Sequence, residues 1–132
     1  MAMIEPLDSS NFFSRITTLR GRINRMQYFY GLLLKLGLSL VAGMLVVFTD
    51  LNGIKSDSAL IVTLPLCLFV IWVNISLQVR RLHDIGQSGF WLLLYLVPFL
   101  NYIFAIIIYI VCLAAEGEKK PNKYGDNPYR IF

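Results

Sequence analysis

Three long apolar runs, separated by short charged stretches, constrain this chain more than any other feature of its sequence. They are Phe29 to Thr49, Ala59 to Leu77 and Phe90 to Leu113. At about 21, 19 and 24 residues, each is long enough as a helix to match the ~30 Å hydrocarbon core of a bilayer. Over 132 residues the hydrophobic fraction is 57% and the mean hydropathy +0.64. A soluble domain of this length has too little interior to hide that much apolar side chain. The expected fold class is all-α, an integral membrane protein with three hydrophobic helical segments. An N-terminal basic segment (1–28) precedes a transmembrane helical domain (29–113), and a polar C-terminal tail (114–132) follows it.

Charged residues make up 15% of the chain, with a net charge of +4. The basic ones flank the apolar runs, so anionic lipid headgroups are the expected partners and nucleic acid is not. Arg15, Arg20, Arg22 and Arg25 precede the first run, whereas the turn after it, DLNGIKSDS, carries one lysine. Basic residues collect on the cytoplasmic side of membrane proteins, so the N-terminus is expected there. Met1 to Ser14 reads as an amphipathic or loose lead. Asn24 with Gln27 forms a capping-box pair at the start of the first helix.

Two crossings return the chain to the cytoplasm at Gln78 to Gly89, a polar loop with the sequence QVRRLHDIGQSG. The third run leaves two alternatives. A single crossing, slightly favoured by base rate, puts Lys119, Lys120, Lys123 and Arg130 of the tail outside, against the charge bias. A break at Pro98 to Asn101 into a re-entrant hairpin keeps the tail inside, at the cost of irregular backbone at depth.

Within the first run, Lys35 is the one charge, close enough to the basic end to snorkel toward headgroups. Gly31, Lys35, Ser39 and Gly43 share one face, where small residues admit a neighbouring helix. Pro65 interrupts the second run. In the third, Trp91, Tyr95, Tyr102 and Tyr109 form a stripe if the helix is continuous, and Asn101 is the polar residue near its middle. Lys35 and Asn101 are the candidate intramembrane polar sites. Cys67 and Cys112 lie at different expected depths, so no disulfide is expected. With a single histidine and no ligand spacing, neither metal nor cofactor is implied.

The densest chemistry is RRLHD. In a helix, Arg80 or Arg81 reaches Asp84 at spacings of four or three. One reading is a headgroup or phosphate site, with Arg22, Arg25, Arg80 and Arg81 holding an anion, Asp84 positioning an arginine or His83, and His83 reporting pH. The plainer reading is an anchor in which arginines orient the chain and Asp84 fixes the turn. No nucleophile elbow, paired acids or phosphate loop points to catalysis, and adjacency of His83 and Asp84 to Ser88 does not make a triad. No catalytic residue is assigned.

Three segments carry a resemblance: GRINRMQYF (Gly21 to Phe29), RRLHDIGQSGFW (Arg80 to Trp91) and NKYGDNP (Asn122 to Pro128). In this order and spacing they resemble the YhaH-like bacterial inner-membrane family, domain of unknown function 805. Gln27 stands where that family usually has an acid, Phe29 and Phe90 where tryptophan is common, and Asp126-Asn127 reverses the usual order. The resemblance implies a bacterial inner-membrane location, which with the apolar runs above makes a multi-pass protein the expectation, and it implies no particular activity. The functional expectation is a non-enzymatic binding or accessory protein that engages acidic lipid or a membrane partner, another copy included, through the arginine cluster. The alternatives are an oligomeric transporter or channel lined by Lys35 and Asn101 and, less favoured, a lipid-modifying enzyme using His83 and Asp84.

Overall fold

The computed structural model describes residues 17–53 and 56–128. The expected lead at Met1 to Ser14, Arg15 and Arg130 lie outside the described residues. Helix α1 spans Arg25–Leu51 and α2 spans Ser56–Asp84. A 3-10 helix covers Gly89–Leu96, and α3 covers Asn101–Ala114. Among the described residues there is no named strand, only an isolated bridge between Asn122 and Gly125 in the tail.

The start of α1 is set by the Asn24–Gln27 box. The Asn24 side chain accepts from the Gln27 amide at 2.8 Å, and the Gln27 side chain accepts from the Asn24 amide at 3.0 Å. That arrangement satisfies two amides a helix end otherwise leaves without partners. At the far end Asn52 donates back to the Phe48 carbonyl, and Gly53 turns the chain with φ 61°. Helix α2 continues through Pro65. With 27 and 29 residues, α1 and α2 are about 40 Å long and so exceed the ~30 Å apolar core. In the most apolar stretch of each, only 11% and 22% of residues are buried inside the protein. A core helix of a soluble protein would be mostly covered; these present Leu, Ile, Val and Phe outward, as lipid-facing helices do. The chain is an α-helical membrane protein.

Helix α1 packs chiefly on α2. Gly31 permits the approach, because a Cβ there would stand 2.5 Å from Leu77 Cδ2. The buried cluster of Tyr28, Val73, Leu77, Leu82, Ile108 and Cys112 joins all three α-helices.

The third apolar run is broken. Ser88 caps the 3-10 helix by accepting from the Phe90 amide at 3.3 Å. The chain then reverses over Val97 to Leu100, with Phe99 at φ 67°. At eight and 14 residues the two arms are about 16 and 21 Å long, too short to cross. They pack against each other as a hairpin. Of the two alternatives the hairpin is the one formed, and the base-rate preference for a single crossing gives way. Pro98 removes a backbone donor and biases the preceding residue against helix, which ends the first arm. The aromatic stripe is split accordingly: Tyr95 and Tyr109 point inward, while Tyr102 is exposed. The RRLHD stretch is not a loop, since α2 runs through Asp84 and turns only at Ile85 to Ser88, where Gly86 takes φ 79°.

Candidate functional site

The hairpin brings the tail to the RRLHD end of α2, and three arginines from two segments converge there. Asp84 is wholly buried at the last position of α2. One carboxylate oxygen accepts from Arg22 Nε at 3.1 Å and lies 3.0 Å from Arg22 Nη2. The other accepts from Arg81 Nη1, three residues back on the same helix. Burial pushes the Asp84 carboxyl up in pKa, and the Arg22 and Arg81 guanidiniums pull it back.

Two cations and one anion leave a net positive charge in a closed site, and backbone carbonyls spread it. Arg22 Nη1 donates to the Lys120 and Gly125 carbonyls at 2.9 and 3.3 Å, and Nη2 to the Glu118 carbonyl. Arg81 donates to Cys112 at 2.8 Å, Ala115 at 2.6 Å and Ile23 at 3.3 Å. Arg25 Nε reaches the Ala115 carbonyl at 3.1 Å. Cys112 and Ala115 sit at the C-terminus of α3, where carbonyls lack intrahelical donors and the helix dipole is negative. Helix α3 has no basic residue in its own last turn, so Arg81 and Arg25 supply that charge from elsewhere. Planar guanidiniums with five donors suit this task, whereas a lysine could not reach three carbonyls in fixed directions.

The tail is shaped to fit. Glu118 N–H donates to the Asp84 carbonyl at 2.8 Å, and a Cβ at Gly117 would stand 2.0 Å from Asp84 Oδ2. Beyond it, Asn122 and Gly125 exchange backbone bonds at 3.1 and 3.0 Å in a tight turn. Asn122 Nδ2 donates to the His83 carbonyl at 2.9 Å, and the Tyr124 ring stacks on the His83 imidazole, 3.8 Å between centroids. Burial pushes the His83 pKa down; the Gly21 backbone opposes this and Lys123 adds to it.

The structure thus brings Arg22, Arg81 and Asp84 together in one closed network, with His83 beside it, stacked on the tail turn, Arg25 at its edge and Arg80 half-buried on the same end. Arg25, half-buried, pairs with the exposed Glu116 at 3.5 Å. An open groove of about 670 Å³ lies beside them, lined by Arg25, Met26, Glu116, Gly117, Lys119 and Asn127. The role of Gly117, Glu118 and Lys119 was not apparent from sequence, because their positions depend on the hairpin.

The intramembrane pair is not brought together. Lys35 Nζ donates to Tyr109 Oη at 2.7 Å, and that hydroxyl donates to Asn74 Oδ1 at 2.6 Å. Lys35 therefore finds partners inside the bundle, where snorkelling toward the headgroups was expected. Asn101 is at the hairpin turn, its side chain accepting from the Tyr102 amide at 2.9 Å. Cys67 and Cys112 are both free thiols.

Comparison with known proteins agrees with the three motifs. The family model for proteins of unknown function (DUF805) matches residues 16–126. Inner membrane protein YhaH of Escherichia coli K12 is 31% identical over 109 residues, covering 83% of this chain and 85% of the relative. Inner membrane protein YhaI of the same strain is 39% identical over 54 residues, covering 41% of this chain and 42% of the relative. No solved structure matches. With the match running from before the first arginine of the network through the tail turn that closes it, the chain belongs to the DUF805 family of proteins of unknown function.

Proposed function

We propose that this protein is a non-enzymatic, multi-pass component of the bacterial inner membrane whose basic end faces the cytosol and binds acidic lipid headgroups. The inner-membrane part of this reading is supported by the names of the relatives. The orientation is supported by charge. Arg20, Arg22, Arg25, Arg80, Arg81, Lys119, Lys120 and Lys123 collect at the end where the tail docks, while Asp50 and Asp57 lie at the other.

The observation that carries the lipid reading is the groove beside α1. Arg25 and Lys119 line it together with exposed Met26, so cationic donors stand next to an apolar contact at the first turn of a lipid-facing helix. A phosphodiester headgroup with its acyl chain along α1 matches that arrangement. Arg22, Arg81 and Asp84 serve the site indirectly, by holding the tail where Lys119 can reach the groove. A catalytic role for His83 and Asp84 has little support, since Asp84 is locked between two guanidiniums and His83 is stacked on Tyr124.

The test is tryptophan quenching in nanodiscs by brominated phosphatidylglycerol against brominated phosphatidylcholine; Trp91 and Trp72 are the reporters. The wild type should prefer the anionic lipid, and Arg25→Ala with Lys119→Ala should abolish the preference while helix content stays the same. Equal quenching by both lipids in the wild type, or an unchanged preference in the double variant, ends the reading.

A further inference from the structure

Several polar side chains within the apolar helices line up inside the bundle. On α2, Asn74, Gln78 and Arg81 follow one another at spacings of four and three, which is one face of a helix. On α1, Tyr28 and Lys35 are seven residues apart and share a face; on α3, Tyr109 and Cys112 are three apart. Tyr95 comes from the 3-10 helix, and its hydroxyl donates to Gln78 Oε1 at 2.8 Å. Lys35, Tyr109 and Asn74 form the inner end, one residue from each α-helix. Arg81, donating to the Cys112 carbonyl at 2.8 Å, joins the outer end to the arginine network.

Depth makes this column unusual. Lys35 is ten residues from Arg25, and Asn74 ten from Asp84, or about 15 Å along each helix, half of an apolar core of ~30 Å. None of the three apolar runs contains an acidic residue, so Lys35 has no carboxylate at its depth. The middle of the column also holds Gln78 Nε2, wholly buried with no hydrogen-bond partner, and the wholly buried Tyr28 hydroxyl, whose one side-chain partner is the weakly bonding Cys112 thiol. Tyr28 lies within electrostatic reach of Cys112, Tyr109 and Tyr95, which puts it among the column's other members. A buried donor without a partner costs about 1–3 kcal/mol, and in lipid no outside solvent relieves it. Internal water relieves it where several polar groups face one space.

We propose that the bundle interior is a water-bearing half-channel, running from the Arg22–Arg81–Asp84 end past Tyr28, Gln78 and Tyr95 and closing at Lys35, Tyr109 and Asn74. It gives the Lys35 ammonium contact with the aqueous phase on one side of the membrane only. The ligand class is water and the protons it carries. On the far side the column stops: the buried Thr49 and Thr63 hydroxyls donate to the Val46 and Ala59 carbonyls of their own helices and not to its members, and the buried α1 residue between Lys35 and Thr49 is Ala42. None of the column's side chains lines the lipid groove, and the two readings share only the Arg22–Arg81–Asp84 end that holds the tail.

The experiment is solid-state NMR on the full chain in lipid bilayers, following transfer of magnetisation from water to the Lys35 side-chain nitrogen and the Gln78 amide. Both should receive it on the timescale of the Arg22 guanidinium, while the methyls of Ala42 stay dry. Gln78→Leu puts an apolar side chain of similar size in the column and should slow transfer to Lys35 several-fold. Tyr28→Phe keeps the ring and should slow it less. A dry Lys35 in the wild type overturns the half-channel whatever the variants do. Transfer to Lys35 that Gln78→Leu leaves unchanged in a folded bundle overturns the route.

Discussion

At the scale of single residues, Asp84 decides whether the arginine end closes. It is the single carboxylate between Arg22 and Arg81, and both guanidiniums are buried with it. Replacing it by Ala leaves two buried cations facing carbonyls alone, a loss of the kind that costs about 3–5 kcal/mol. Asp84→Ala should therefore lower the midpoint of unfolding in mild detergent and release the tail to protease, whereas Glu116→Ala, which removes an exposed pair, should change stability by less than about 1 kcal/mol. Gly117 is the matching test from the tail: Gly117→Ala forces a methyl against Asp84 Oδ2 and should loosen the same contact. The sequence made part of this legible. The spacing of Arg81 and Asp84 foretells their pair, since three residues is a helical contact. Arg22 could not be assigned to Asp84 in the same way, because 62 residues and a full reversal of the chain lie between them.

At the scale of elements, the tail turn and the end of α2 form a small docked unit whose strength depends on pH. His83 stacks on Tyr124, with Lys123 in the same turn and Arg22 and Asp84 beside α2. Its folded pKa is lowered, mainly by burial, so the undocked state binds the proton more readily. The stability contributed by docking is therefore present above the ordinary histidine value of 6.5 and is lost as pH falls through it. Limited proteolysis of the tail should accelerate between pH 7.5 and roughly pH 5.5, and His83→Phe, which keeps the stack without the titration, should flatten the profile. The hairpin turn carries a second expectation. Phe99 sits at φ 67°, a region that costs a non-glycine residue about 1 kcal/mol, so Phe99→Gly should be neutral or stabilising and Phe99→Val destabilising. Element existence was readable from length and composition, and the Asn24–Gln27 cap from its spacing. The break was readable as a strain between Pro98, run length and tail charge; its resolution was not, because it depends on Arg81 and Arg25 meeting the carbonyls at the end of α3.

For the whole molecule, the charge bias and the packing make the same demand from different directions. Three basic clusters close in sequence to apolar runs all need the same aqueous side, and a third segment that crossed would carry Lys119, Lys120 and Lys123 to the other. The hairpin satisfies that demand, and the price of its irregular turn at depth is offset by Arg81 and Arg25 on the carbonyls at the end of α3 and by the Glu118 amide on the last carbonyl of α2. Composition alone could not choose between the two topologies, since hydropathy measures how much of the chain prefers lipid and not which way it leaves. Sidedness is the property that follows from the choice, and it can be read directly in intact cells. Single cysteines at the exposed positions Arg20, Ser58 and Lys123 report the N-terminal segment, the α1–α2 turn and the tail. Native Cys67 and Cys112 lie within the apolar helices, away from an aqueous reagent. A membrane-impermeant maleimide should modify Ser58→Cys in intact cells and reach Arg20→Cys and Lys123→Cys only after permeabilisation. If Lys123→Cys were modified together with Ser58→Cys, the tail could not reach Arg22 and Asp84, and the closed arginine end would be lost along with the groove built on it.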